Sequence, residues 1–248
     1  MSTRRFLISV PPESCETVLD PDVSKHAAKV LRLKAGDAVV LFDGKGTEWP
    51  GQVLVPHRHG VRIRLGEERA SVRPPGPRVV LATAIPKGKR MSTMLAMATE
   101  AGVDAIVPVQ FAWSAVREPG DSKVHHWERS VVDAARQSGR AWVPALEPEI
   151  PLREFLARPR PEGERRFLPT TTGDPPPLAA LLSAPSPSPA PTSILVLVGP
   201  EGGFAPGEES AAAAAGFEPC SLGPHILRVE TAGVVAVAIL RGAPPASA

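Results

Sequence analysis

The sequence predicts an α/β protein of two domains, a small and mostly stranded N-terminal one and a larger C-terminal one built on a mostly parallel sheet. Residues 1–73 read chiefly as short strands. One of them, Gly60–Leu65, alternates, with Val61, Ile63 and Leu65 on one face and Arg62 and Arg64 on the other. After residue 77 strands and helices alternate, as a parallel sheet covered on both faces requires. Between the two lies Arg73-Pro74-Pro75-Gly76-Pro77, a stiff linker because proline fixes φ.

In the first domain, residues 37–42 form a short apolar strand that the Asp43-Gly44 turn ends, and one short helix spans 23–31. The pattern suits a small β-barrel. In the second, taken as 77–248, a strand at 78–85 leads to a helix at 89–101 that Gly102 stops. A strand at 104–109 and a helix at 122–137, ending near Gly139, follow. Short strands come next at 166–170, 194–198 and 218–222, with helices at 207–215 and 230–241. The proline-rich stretch 175–191 contains a brief helix, Leu178–Ser183, and is otherwise an exposed connection without chemistry.

At 248 residues the chain has ample length for a core, and a net charge of +2 rules out a polycation. Residues 1–73 hold 12 Lys/Arg against 9 Asp/Glu. That excess fits either an RNA-facing surface or an ordinary solvated one. Tyrosine is absent and arginine far outnumbers lysine, so the arginine content and the alanine run at 211–215 carry little information. Cys15 and Cys220 stand far apart, outside any metal spacing, and neither His57/His59 nor His125/His126 has a ligand pattern around it. The longest apolar run, 234–240, is too short for a bilayer, and the start is too short for a signal peptide. The chain reads as cytoplasmic, with no membrane partner.

The most informative residues are two Gly/Pro-rich turns. Gly199-Pro200-Glu201-Gly202-Gly203 follows one strand. Leu222-Gly223-Pro224-His225-Ile226-Leu227-Arg228-Val229-Glu230-Thr231-Ala232 follows the next. Placed at the ends of two neighbouring strands, they stand where open α/β sheets bind ligands. Glycine there lets the backbone approach a ligand without Cβ in the way. Glu201, Arg228 and Glu230 are the nearest charged groups. Neither a GxGxxG fingerprint nor a P-loop is present, which leaves nicotinamide and nucleoside-triphosphate readings without support. Lys87, Lys89 and Arg90 precede a helix, a placement suited to phosphate contact.

The paired turns resemble the signature of the RsmE-type RNA methyltransferases of the SPOUT class. Further blocks extend the resemblance over nearly the whole chain. They are His26 with Lys29-Val30-Leu31-Arg32, Gly36-Asp37 and Leu41-Phe42-Asp43-Gly44, then Pro86-Lys87-Gly88-Lys89-Arg90, Thr99-Glu100-Ala101-Gly102-Val103 and Gln137-Ser138-Gly139-Arg140. His225 and Arg136 depart from the family pattern. The resemblance implies a PUA-like barrel over 1–73 and a trefoil-knotted domain over 77–248. It implies S-adenosylmethionine as cofactor, N3 of a uridine in the 16S ribosomal RNA of the small subunit as acceptor, and a homodimer. Thr170, Gly199, Gly203, Leu222, Gly223, Ile226, Leu227 and Thr231 would hold the cofactor. Arg5, His26, Arg32, Lys87, Lys89, Arg90 and Arg140 would face RNA.

Uracil N3 carries a proton at neutral pH, so its methylation needs a base or a cation that stabilises the developing anion. Arg228 keeps its charge and suits the second task or a phosphate anchor; the competing reading is an ion pair with Glu230 or Glu201. Glu201 is either a base or a carboxylate favoured by the helix that follows it. Two other functions stay open: a SPOUT enzyme acting on transfer RNA or on ribose 2′-O, and a ribosome-assembly protein that binds RNA without catalysis.

Overall fold

The computed structural model describes residues 3–116, 119–184 and 190–242, so 185–189 of the proline-rich stretch lie outside the described residues. The chain divides into two compact units, Met1–Pro74 with Ala135–Val143, and Pro75–Ala134 with Pro144–Ala248.

The first unit contains β1 (Arg4–Leu7), β2 (Glu16–Val18), α1 (Pro21–Lys29), β3 (Ala38–Phe42), β4 (Thr47–His57), β5 (Gly60–Leu65) and β6 (Arg69–Ala70). Its sheet runs β1-β3-β4-β5-β2, with β6 on β4. β1 is parallel to β3, and the other pairs are antiparallel. The alternation read from β5 is what the structure uses: Val61, Ile63 and Leu65 are buried with Phe6, Leu41 and Trp49. Helix α1 starts at a proline, which lacks an N–H that would go unpaired there. It is pinned by Ser24, whose buried hydroxyl donates to the Leu19 carbonyl (2.8 Å) and accepts from Val61 N–H (2.9 Å).

The turn after β3 is a platform. Oδ1 of Asp43 accepts from the N–H groups of Lys45 (2.7 Å) and Thr47 (2.9 Å). Burial alone would push the Asp43 carboxyl up, but those backbone donors outweigh it and hold the carboxyl below its ordinary range. The returning segment docks here. Gly46 N–H donates to Ala141 O (3.1 Å) and Val143 N–H to Gly44 O (2.9 Å). The Trp142 ring fills the space a side chain at Gly46 would need.

The second unit contains β7 (Arg78–Thr83), α2 (Arg90–Glu100), β8 (Ala105–Gln110), most of α3 (Asp121–Gln137), β9 (Ala145–Leu146), β10 (Ile150–Pro151), α4 (Leu152–Leu156), β11 (Glu164–Pro169), α5 (Leu178–Ser183), β12 (Ser193–Val198), α6 (Glu208–Ala214), β13 (Phe217–Cys220) and α7 (Val229–Gly242). All its strand pairs are parallel, in the order β10-β8-β7-β12-β11-β13, with β9 also on β8. Residues 79–83 of β7 and all of β12 are buried, as strands covered on both faces must be. Helix α7 packs on α2, β7 and β12.

One expectation is corrected. The strands that precede the two glycine turns, β12 and β13, are not neighbours, because β11 lies between them and pairs with both. The ligand edge is therefore three strands wide.

Candidate active site

A cavity of about 470 Å³ opens at the C-terminal ends of β11, β12 and β13. Three loops make its wall: 169–172 after β11, 198–204 after β12, and 221–229 after β13; Glu209 of α6 and Ala232 of α7 complete it.

The β12 loop owes its shape to close packing. A Cβ on Gly199 would lie 2.7 Å from the Phe204 ring, so only glycine lets the ring sit against the strand end. Phe204 in turn meets Phe111 edge-to-face at 5.8 Å. Glu208 fixes the loop from below: one carboxylate oxygen accepts from Ala205 N–H and the other from Ala112 N–H, both at 2.8 Å. In the β11 loop, Thr170 donates its hydroxyl to Glu209 (2.6 Å) and accepts from Thr172 N–H (3.0 Å). At the end of β13, burial and then the Glu218 charge push the Cys220 thiol up to about 12, so it stays a neutral packing group.

Of the residues expected to hold a cofactor, Thr170, Gly199, Gly203, Leu222, Gly223, Ile226 and Leu227 all line this cavity. Thr231 does not; it is exposed on α7. Arg228 and Glu201 line it too. Arg228 is exposed and forms no ion pair among the described residues. The pairing weighed for it belongs instead to Arg90, whose Nη1 stands 3.2 Å from Glu201 and 3.8 Å from Glu230. Lys87 and Lys89 are exposed in the loop before α2.

The remaining expected RNA residues lie in the first unit. Arg32 is exposed and is the non-glycine residue with positive φ (51°) among those described. His26 is half-buried in α1. Arg5 is largely enclosed. Its guanidinium pairs with Glu48, donates to the Arg140 carbonyl at 3.1 Å and lies 5.0 Å from the Phe42 ring centre. Arg140 is thereby tied to the first unit through its backbone.

Sequence reasoning missed Thr171, Thr172, Phe204, Glu209 and Ser221 in the wall. The run Thr170-Thr171-Thr172, directly after a strand, was a usable signal, whereas Glu209 looked like an ordinary first-turn helix acid. Among the described residues, no group of three or more His, Cys, Asp or Glu is placed to hold a metal ion. No helix there is long and apolar enough to cross a membrane.

Residues 74–241 match the RNA methyltransferase domain family, and residues 19–66 match the RNA methyltransferase PUA domain. The chain belongs to the RNA methyltransferase family. It is 35% identical to the ribosomal RNA small subunit methyltransferase E of Synechocystis over 213 residues, 86% of this chain and 68% of that one. With the same-named protein of Mycobacterium bovis it shares 33% identity over 239 residues, 94% and 88% of the two chains. Among solved structures, the ribosomal RNA small subunit methyltransferase E of Neisseria gonorrhoeae bound to S-adenosyl methionine superposes with a TM-score of 0.84 at 31% identity, covering 97% of each chain. A Legionella pneumophila structure with the cofactor SAM bound gives 0.86 at 26% identity, over 97% of this chain and 98% of that one. In this methyltransferase, then, the cavity sits within the matched catalytic domain, and the PUA-type domain occupies the first unit.

Proposed function

We propose that the protein methylates N3 of a uridine in the 16S ribosomal RNA of the small subunit, with S-adenosylmethionine as methyl donor. The observation that carries this is convergence. Both signature turns, with Thr170, Glu201 and Arg228, meet in one cavity at the carboxyl edge of a parallel sheet. The family membership and the cofactor bound in the Neisseria relative support the same reading.

The wall suits that cofactor. The volume falls in the range of ~300–1,000 Å³ usual for small-molecule sites. Val198, Leu222, Leu227 and Val229 offer apolar surface for a purine, and the glycine turns leave backbone groups accessible. Glu209 can accept from ribose hydroxyls or balance a cationic tail. Ile226 is 84% exposed although it lines the cavity, a large apolar side chain that a bound partner would cover. When bound, the cofactor supplies an electrophilic methyl group on a sulfonium. The chain's own work is to align the acceptor and to stabilise the charge that its N3 gains as the proton leaves. Arg228, charged and in no ion pair among the described residues, takes that second task. Glu201 contributes to the wall.

The same reading extends to the architecture. The first domain, 1–73, forms a PUA-like barrel that holds RNA through His26 and Arg32. The second, 77–248, is a trefoil knot with Lys87 and Lys89 toward RNA. Ser221, just beyond β13, pairs with the segment that follows β11: its N–H donates to Pro176 O and its carbonyl accepts from Leu178 N–H, each at 2.9 Å. The enzyme works as a cytoplasmic homodimer.

The test is methyl transfer from labelled S-adenosylmethionine to undermodified small subunits, followed by nucleoside analysis. Labelled 3-methyluridine is the expected product, and Arg228→Ala should lower turnover by about 10²–10³-fold, the loss typical of one charge-stabilising donor. Label on a ribose or on another base would overturn the acceptor assignment. Full turnover by a folded Arg228→Ala protein would remove that residue's role.

A further inference from the structure

Three parts of the second unit meet at a single guanidinium. Arg90 opens α2, and its Nε donates to the Lys87 carbonyl at 3.1 Å, which fixes the loop that enters the helix. Its Nη1 faces Oε1 of Glu201, in the cavity wall after β12, and Oε2 of Glu230, in the first turn of α7 two residues beyond Arg228. Oε2 of Glu230 is buried and accepts no hydrogen bond, so the guanidinium beside it is what offsets its charge. The Arg90 side chain is only 34% exposed, whereas Lys87 and Lys89 stand out in solvent.

This arrangement competes with phosphate binding for the same donors. We propose that Arg90 is a positioning residue of the cofactor cavity rather than an RNA contact. It holds the Glu201 loop and the start of α7 in register and so sets where Arg228 and the glycine wall stand. The proposal rests on reading the cavity as the S-adenosylmethionine site. Arginine is needed because its planar fork serves several acceptors at once, while a lysine ammonium on a flexible stem is a single point charge.

The experiment is calorimetric binding of S-adenosylmethionine to the full-length, RNA-free protein, with Arg90→Ala, Arg90→Lys, Glu201→Gln and Lys89→Ala compared. Thermal unfolding checks each fold. Arg90→Ala should weaken cofactor binding by about 10–100-fold, with Arg90→Lys recovering only part of the loss. Arg90→Ala combined with Glu201→Gln should lose little more than Arg90→Ala alone, because the two act as one unit. Lys89→Ala should bind cofactor normally, while its RNA affinity falls and its salt slope drops by about 1. If Arg90→Ala binds cofactor like the parent and instead loses RNA affinity as Lys89→Ala does, the assignment of Arg90 is overturned. Additive losses in the double variant overturn it too. Should Arg90→Ala not fold, Arg90→Lys and Glu201→Gln decide: weakened cofactor binding supports the proposal, and unchanged binding overturns it. A parent protein that binds no S-adenosylmethionine would overturn the cavity reading itself, and this proposal with it.

Discussion

Two glycine turns, one in each unit, look alike in sequence and use the missing side chain in opposite ways. Gly46, in the turn after β3, has φ +113°, and a Cβ there would come within 2.6 Å of the Trp142 ring. Gly203, in the turn after β12, has φ +77°, and a Cβ there would meet nothing within 4 Å. Both need glycine for a left-handed backbone. Only the first needs it for room. At Gly46 the space is taken by the chain itself, which seats residues 141–143; at Gly203 it is left open on a cavity wall. The turn packed with protein is structural. The turn that faces empty space is the one with room for a ligand.

The largest effect that would break this contrast is Gly46→Ala. It combines the backbone cost with a collision against an indole ring, about 2–4 kcal/mol in equilibrium urea unfolding. A loss below about 1 kcal/mol would mean that Trp142 does not depend on this seat. Trp142→Ala sharpens the point, because the clash term disappears when Gly46→Ala is made in its background, and the two changes should be strongly non-additive. Gly203→Ala should cost stability less, about 1–2 kcal/mol from the backbone alone. It should also weaken S-adenosylmethionine binding about tenfold or more, as read by titration calorimetry. Unchanged affinity would sever Gly203 from the cofactor.

The smallest effect concerns Asp43, which organises the first of the two turns. Its carboxyl is held below its ordinary value of 3.8 in the folded protein, so its stabilisation is present above that pH and is lost as pH falls through the depressed folded value. Asp43→Asn should therefore lower stability near neutrality, and the gap between the two proteins should close as the solution is acidified below about pH 4. A gap that stays constant down to pH 2 would show that the ionised carboxylate is not what the Lys45 and Thr47 N–H groups hold.

How legible the molecule was in its sequence varies by element. Period-two alternation located β5 because one face of that strand is buried and the other wet, and Gly102 marked the end of α2 through its left-handed backbone (φ +104°). β11 was harder. It begins at Glu164, and Arg166 within it is only 4% exposed, paired to Glu164 at 2.8 Å and bonded to the Ala215 carbonyl. A charged pair inside a parallel strand hides the apolar run by which such strands are read. The two-residue strands β6, β9 and β10 carry too little pattern to be seen. In the site, the glycine turns and Arg228 stood out by composition. Glu209 did not, because an acid in a first turn has common surface explanations, and Arg90 stood out only as a phosphate contact, because its carboxylate partners are far away in the chain.

By itself the sequence determined the local chemistry: which stretches are strands and helices, where the turns fall, and which turns can present backbone and charge to a ligand. Those properties follow from φ preferences, hydrophobic period and residue type over a few neighbours. Tertiary structure decided who meets whom. It placed β11 between β12 and β13 and so brought Thr170 and Glu209 into the wall. It carried residues 135–143 onto the first unit. It gave the Glu201 and Glu230 carboxylates to Arg90 rather than to Arg228. Each depends on contacts between residues far apart in the chain, fixed by the joint burial of whole strands and helices that no local window contains.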